Sequence, residues 1–351
     1  MPTSPMKTLA ITGISGFIAS HIAIQALEKG YHVIGTIRST AKADRVRSIL
    51  AKHVGDKKTS NVDFREASLD AADGWVDALR GADAVLHVAS PFPSGIPKDE
   101  NELIRPARHG VKVVFEAALE LGIERIVQTS SVAAIMYGYD GKPGHGPDGA
   151  FNESDWTVIE GPGVGAYVKS KTMAERDVWS LVDKHPSLKV TTVCPSFVQG
   201  PQLSDSLGTS GEIIVKVMRG ELPGFPRLGM TFVDVRDVAA LHLLALEYET
   251  TIGERLIASA YTLWLREMGE AILEEFPELK GKIKPRELPN FFVKLFALFD
   301  RETKLIVPEL GNYPVASNAK ARELVGWEPR SGREAVRAAA RSLVELGVVS
   351  V

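Results

Sequence analysis

Cysteine is nearly absent: Cys194 is the only one in 351 residues. An internal disulfide is therefore excluded, which fits a reducing compartment. Long apolar runs are missing as well, so no stretch reads as a membrane span. The first six residues have no apolar region of the kind a secretory signal needs, and a cytoplasmic location is expected. Basic charge is not in excess either. Lys and Arg number 41 against 44 Asp and Glu, for a net charge of −3. With no basic stripe, nucleic acid is not expected as a partner. No fixed-period repeat occurs, and no metal site is expected.

What is present is the composition of a globular protein, 44% hydrophobic and 24% charged. The length predicts one large domain with an appendage, or two domains. An apolar strand-like run over 7–12 leads into Gly13-Ile14-Ser15-Gly16-Phe17-Ile18-Ala19, and a helical pattern follows to Gly30. Strand, glycine turn and helix form the phosphate-binding opening of a Rossmann unit. Gly13 permits a sharp turn, and Gly16 lets backbone approach a pyrophosphate at the helix N-terminus. Ala19 is small enough for the helix to lie close on the strand. The spacing is Gly-x-x-Gly-x-x-Ala, and an ordinary glycine turn is the alternative reading.

A second strand over 32–37 ends at Arg38. An NAD-preferring site would place a carboxylate here for the ribose 2′-hydroxyl. Arg38, with Lys42 four residues on, suits a 2′-phosphate instead, so NADPH is favoured. The alternative is a solvated basic pair.

Strands over 62–65, 84–88 and 125–129 alternate with helices over 71–79 and 103–121. Such alternation predicts an α/β fold, a doubly wound parallel sheet whose ligands gather at the carboxyl ends of its strands. Gly13, Arg38, Ala89, Ser90 and the pair Ser130-Ser131 then share one rim. His87, within strand four, reads as a core histidine.

Strand five runs into Thr129-Ser130-Ser131. A long glycine-rich loop follows, then a helix bearing Tyr167 and Lys171. Four residues apart on a helix, these two side chains share a face, and Lys169 points away. A carbonyl reduced by hydride must gain a proton on oxygen. A Tyr has its free pKa near ~10, and an adjacent ammonium lowers it. A serine hydroxyl can hold the oxygen as charge develops. The alternative is a solvated pair beside serines that merely end a strand.

Together these motifs resemble an extended short-chain dehydrogenase/reductase, and more narrowly its dihydroflavonol reductase-like branch with the NADPH-dependent aldehyde and methylglyoxal reductases. The runs Val85–Phe92, Phe151–Trp156, Val193-Cys194-Pro195, Gly200-Pro201 and Asp234–Ala239 support it. The resemblance implies reversible, NADPH-dependent reduction of an aldehyde or ketone. It makes Ser131 the catalytic serine, Tyr167 the acid, and Lys171 the residue that tunes Tyr167 and holds the nicotinamide ribose. Arg38 and Lys42 would contact the 2′-phosphate. The glycine turn would bind cofactor through Thr12, Gly13, Ser15, Gly16, Phe17 and Ile18. Ala89 and Ser90 would join them from strand four, and Pro195, Val198 and Ser210 from the strand-six side. Two positions depart from the branch. Ser68-Leu69 stands where an Asp usually precedes an apolar residue at the adenine, and His109 stands where many relatives carry Asn.

Strand six is expected over 189–194, with helices over 213–218 and, after a strand end at 233, to 248. Beyond Gly253, helical patterns between prolines suggest a substrate-side lobe closed by helices over 318–325 and 333–346. Residues 1–200 would form the NADP-binding domain, which also receives roughly 231–259, and 201–351 mainly the substrate side. The apolar stripe Phe291, Phe292, Leu295, Phe296 and Phe299 reads as lobe core, with a pocket lid or subunit contact as alternatives. Cys194 reads as a core residue. Pocket walls are expected at Phe92, Tyr137, Phe197 and Gln199. Their mostly apolar character favours a small or aromatic carbonyl. A monomer or homodimer is expected. Rival readings are a sugar-nucleotide epimerase or dehydratase and a non-enzymatic NADP-binding redox sensor. The segment 195–199 lacks the Arg and Asn typical of the first. Retention of Tyr167 and Lys171 counts against the second.

Overall fold

The computed structural model describes residues 7–91 and 97–351, which leaves the expected pocket residue Phe92 outside the described residues. The chain alternates from its start: β1 (Thr8–Ile11), α1 (Phe17–Glu28), β2 (His32–Ile37), α2 (Ala43–Val54), a single turn α3 (Asp56–Thr59), β3 (Val62–Glu66), α4 (Trp75–Leu79), β4 (Ala84–His87), α5 (Asn101–Glu120) and β5 (Arg125–Thr129). After the long loop come α6 (Ala166–Lys184), β6 (Lys189–Pro195), β7 (Phe197–Gln199), α7 (Thr209–Met218), β8 (Phe225–Pro226), β9 (Gly229–Asp234) and α8 (Val235–Glu247). The remainder is β10 (Arg255–Ala258), β11 (Tyr261–Trp264), α9 (Leu265–Glu275), β12 (Glu287–Leu288), α10 (Asn290–Phe296), α11 (Arg301–Ile306), α12 (Ala319–Val325) and α13 (Gly332–Glu345).

The main sheet has seven strands in the order β10-β6-β5-β4-β1-β2-β3, all parallel. This is the expected doubly wound sheet. Its inner strands are buried on both faces and are largely apolar for that reason, whereas the edge strand β3 buries only Val62 fully. Leu9, Val33, Leu86 and Val127 pack with α1 and α8 on one face. Ala10, Ile34, Val85 and Ile126 pack with α4, α5 and α6 on the other. Strand order reverses between β1 and its neighbours β2 and β4, and that reversal opens a crevice at the carboxyl ends.

A second sheet, β11-β9-β7, lies beyond. Beside it α7, α9 and α13 enclose a third apolar core through Ile214, Phe232, Met268 and Leu343.

Two expectations fail here. The helix over 71–79 is confined to α4, because Gly74 takes φ +87°, a left-handed conformation that starts the helix afresh. The stripe on α10 is not core: Phe291 is 70% and Phe296 58% exposed, and only Val293 of that helix is buried. Five of its seven residues are apolar, more than the single buried face can take.

Candidate active site

Gly13 turns at φ +64° after β1, where an added Cβ would lie 3.0 Å from the Cβ of Ala89. The backbone of β1 therefore passes against the end of β4 with no room for a side chain. Thr36 Oγ1 accepts from Gly13 N at 3.0 Å and fixes the turn to β2. Gly16 caps α1 without a side-chain bond, and no acidic residue occupies the first helical turn. The amides of that turn thus remain available to an anion.

Thr12 is wholly buried, contrary to its expected place as a cofactor contact. Its Oγ1 accepts from Val88 N at 3.0 Å and Ala89 N at 2.9 Å, and lies 2.8 Å from His87 Nδ1. Both lone pairs are in use, so the hydroxyl proton goes to His87. Burial lowers His87 to about 3, and its ring is neutral. Thr12 thus ties two strand ends together from within the core.

Three successive hydroxyls at the end of β5 face three different ways. Thr129 Oγ1 lies 2.7 Å from Nε2 of His242, whose Nδ1 donates to Val238 O at 2.8 Å. Ser130 Oγ donates to Glu175 Oε2 at 2.6 Å. Ser131 Oγ accepts from Ala133 N at 3.1 Å and hydrogen-bonds the Tyr167 phenol. Strand alternation alone would send Ser130 and Ser131 to opposite sides. The short turn at Val132–Ala134 then carries the chain away. Thr157 Oγ1 donates to Ala133 O at 2.7 Å, and Thr172 Oγ1 of α6, which shares its proton with Val168 O at 2.8 Å, lies 3.3 Å from the same oxygen. This clamp fixes the helix that bears Tyr167 against the turn that bears Ser131.

Lys171 is 9% exposed, and burial lowers it to about 8. Tyr167 is half-buried beside the cleft, and its phenol is pushed up by burial and drawn part of the way back by Ser131. The expected lowering of Tyr167 is found only through Ser131, and burial, the larger influence, holds the phenol above its ordinary value. Lys169 points away, as expected, and donates to Glu100 Oε2 at 2.7 Å.

These groups border a cleft of about 860 Å³. Of the expected cofactor contacts, Gly13, Ser15, Gly16, Phe17, Ile18, Arg38, Ser68, Leu69, Ala89, Ser90, Pro195, Val198 and Ser210 line it, as do Ser131, Tyr167 and Lys171. Tyr137 and Phe197 line it as well. Lys42 does not; it lies exposed on a short turn beyond the rim. Gln199 does not either: it is fully buried, and its Nε2 donates to Ser210 O at 3.0 Å. It holds the cleft wall instead of forming it. His109 Nδ1 lies 2.7 Å from Leu69 O, so the departure at 109 supports the departure at 68–69 from behind.

Sequence reasoning missed Ser196, Met230 and Thr231, which also line the cleft. Ser196 is 7% exposed, and its Oγ has no hydrogen-bond partner among the described residues. Met230 and Thr231 belong to β9, which pairs with β7 only in three dimensions. Among the described residues no group of three or more His, Cys, Asp or Glu could hold a metal ion, and no helix is long and apolar enough to cross a membrane.

Comparison with known proteins follows the same lines. The profile of the NAD dependent epimerase/dehydratase family matches residues 9–257. The NADPH-dependent methylglyoxal reductase Gre2 of Saccharomyces cerevisiae is 34% identical over 289 residues, covering 78% of this chain and 84% of the relative. Cinnamoyl-CoA reductase 1 of Arabidopsis thaliana is 29% identical over 300 residues, 85% of this chain and 83% of the relative. The crystal structure of yeast methylglyoxal/isovaleraldehyde reductase Gre2 complexed with NADPH superposes with a TM-score of 0.79 at 28% identity, covering 97% of this chain and 100% of that one. The chain belongs to the NAD dependent epimerase/dehydratase family.

Proposed function

We propose that this member of the NAD dependent epimerase/dehydratase family reduces an aldehyde or ketone to an alcohol with NADPH. The observation that carries the reading is the Ser131–Tyr167 hydrogen bond beside the buried Lys171, on the wall of a cleft that begins at the glycine turn. The cradle suits a dinucleotide: Gly13 makes a tight left-handed turn against Ala89, the first turn of α1 is uncapped, and Arg38 stands at the rim. When bound, NADPH supplies the hydride.

The chain's own residues do the rest. Ser131 holds the carbonyl oxygen as negative charge builds on it. Tyr167 gives that oxygen its proton. Its phenol is pushed up by burial, so it keeps the proton at neutral pH until an alkoxide-like oxygen is there to take it. Lys171 binds the ribose and stabilises the phenolate left behind. Arg38, with a smaller part for Lys42, favours the 2′-phosphate. Tyr137 and Phe197 give the substrate a mostly apolar, aromatic wall, which suits a small or aromatic carbonyl. Residues 1–200 with 231–259 hold the cofactor in this reading, and 201–351 mainly the substrate. A cytoplasmic enzyme, monomeric or homodimeric, fits the single buried thiol of Cys194.

The test is NADPH oxidation by the purified protein on small and aromatic aldehydes, α-dicarbonyls and β-ketoesters, with Tyr167→Phe alongside. Turnover that vanishes in the variant supports the reductase. Tight NADPH binding with no turnover on any carbonyl would leave a redox sensor in its place.

A further inference from the structure

Directly behind Lys171 stands a buried charge that the reaction as described does not use. Tyr167, Lys171 and Glu175 follow one another at fourth positions on α6 and share a face. Glu175 is 2% exposed. Arg255 Nε donates to its Oε1 at 2.8 Å and Arg255 Nη2 to its Oε2 at 3.2 Å. Ser130 Oγ reaches Oε2 at 2.6 Å, while Thr192 Oγ1 and Trp179 Nε1 reach Oε1 at 2.9 and 3.3 Å. A site made of donors alone suits a carboxylate, which only accepts. Arg255 is itself held, by Glu153 O at 2.9 Å and Asp155 O at 2.7 Å, with its guanidinium 3.8 Å from the ring centroid of Trp156.

Packing alone does not call for such a pair, since apolar residues of similar volume often serve as well. Two further facts tie it to the site. Ser130 is the neighbour of Ser131, so Glu175 anchors the corner that presents the serine. Lys171, Glu175 and Ser130 also border one gap of about 10 Å³. That is roughly the space of a single water, so bulk solvent does not screen the two charges from each other.

We propose that Glu175 is a positioning residue for the carbonyl reduction: it anchors the Ser130–Ser131 corner and is the negative charge that keeps Lys171 an ammonium in the cofactor site. The proposal rests on the reductase reading above. Every other titratable or charged group around Lys171 leaves that part to Glu175. Tyr167, on the same helix, is a protonated phenol. His87 on β4 is neutral. The thiol of Cys194 on β6 is pushed well above its ordinary range by burial and stays protonated. From α5 the residues that line the gap are the uncharged Ala107 and Val111. Arg255 on β10 stands with Glu175 and is a cation. Cys194 and then Glu175 oppose the desolvation that lowers the lysine, but with the thiol protonated Glu175 is, among the described residues lining this gap, the one full negative charge facing Lys171.

Two variants that both break the Glu175–Arg255 pair separate this role from a structural one. Glu175→Gln removes the negative charge, and Arg255→Met leaves it. The alkaline limb of kcat/KM for NADPH should move down by about one pH unit in Glu175→Gln. In Arg255→Met it should stay in place or move up, although both proteins lose thermal stability. Proton uptake on NADPH binding, by calorimetry in two buffers, reads the same shift without turnover. Glu175→Asp, which withdraws the carboxylate by one methylene, should move the limb in the same direction by less, and it serves if Glu175→Gln does not fold. Limbs that coincide with wild type in the Glu175 variants, or that move equally in Glu175→Gln and Arg255→Met, overturn the proposal. Absence of NADPH-dependent turnover in the wild type would instead overturn the reductase reading.

Discussion

Ser131 and Tyr167 share a hydrogen bond although one follows a strand and the other opens a helix after a long glycine-rich loop. The bond sets the two hydroxyls side by side on the cleft wall. Tyr167→Phe removes the donated proton and keeps the ring. It should lower kcat by roughly 10²–10⁴-fold and leave NADPH affinity within a few-fold of wild type. Ser131→Ala should cost about 10²-fold in kcat. Steady-state assays with a fluorescence titration of NADPH check both. A Tyr167→Phe protein that keeps its turnover would remove Tyr167 as the acid.

Lys171 makes the fold less stable than it could be. Its folded value of about 8 lies below the ordinary 10.5. Between those values the unfolded chain binds more protons, so stability rises with pH across that window and the full penalty applies below it. Lys171→Met should therefore be more stable than wild type at pH 7, by roughly 1–3 kcal/mol. The advantage should fade as pH approaches 10.5, and activity should be lost throughout. Urea melts at pH 7 and pH 10 measure it. A variant less stable than wild type at pH 7 would contradict the desolvation argument.

The glycine cradle also depends on a residue outside it. Gly35 of β2 lies over the buried Ile14, and an added Cβ would sit 2.5 Å from Ile14 Cδ1. Ile14 forms part of the turn between Gly13 and Gly16. Gly35→Ala should push the turn outward, destabilise the fold by about 1–3 kcal/mol and weaken NADPH binding together with it. Melting curves and cofactor titration of the same variant should move in parallel.

How much of this was legible in the chain follows from how local each signal is. The strands of the main sheet are short apolar runs flanked by turns, and β2 and β5 fall where their residues predict. The spacing of Tyr167 and Lys171 states their shared face outright. The second sheet was not legible, because β7, β9 and β11 are short and meet only after the chain has folded back. The same distance hid Met230 and Thr231. Glu175 and Arg255 look like two more charges among many, and nothing local marks them as buried partners. At Thr12 and Gln199 the position along the chain was read correctly, but the side chains face inward. Period and spacing place a Cα near a rim without fixing which way its side chain turns.

We propose that cofactor choice rests on Arg38. It closes β2, is exposed, and lines the cleft on the side of Gly13 and Ser68. A charge-assisted bond to a phosphate contributes about 1.5–3 kcal/mol, so its loss should weaken NADPH by roughly 10–100-fold. Arg38→Asp adds repulsion of the 2′-phosphate and leaves NADH, which has none, nearly unaffected. The ratio of the two dissociation constants should therefore approach or cross unity. Lys42 stands outside the cleft, so Lys42→Ala should have a smaller effect that fades further in high salt, as expected for a screened exposed charge. Fluorescence titrations of both cofactors at low and high salt decide the matter. Equal weakening of NADPH and NADH by Arg38→Asp would mean that Arg38 supports the turn and not the phosphate.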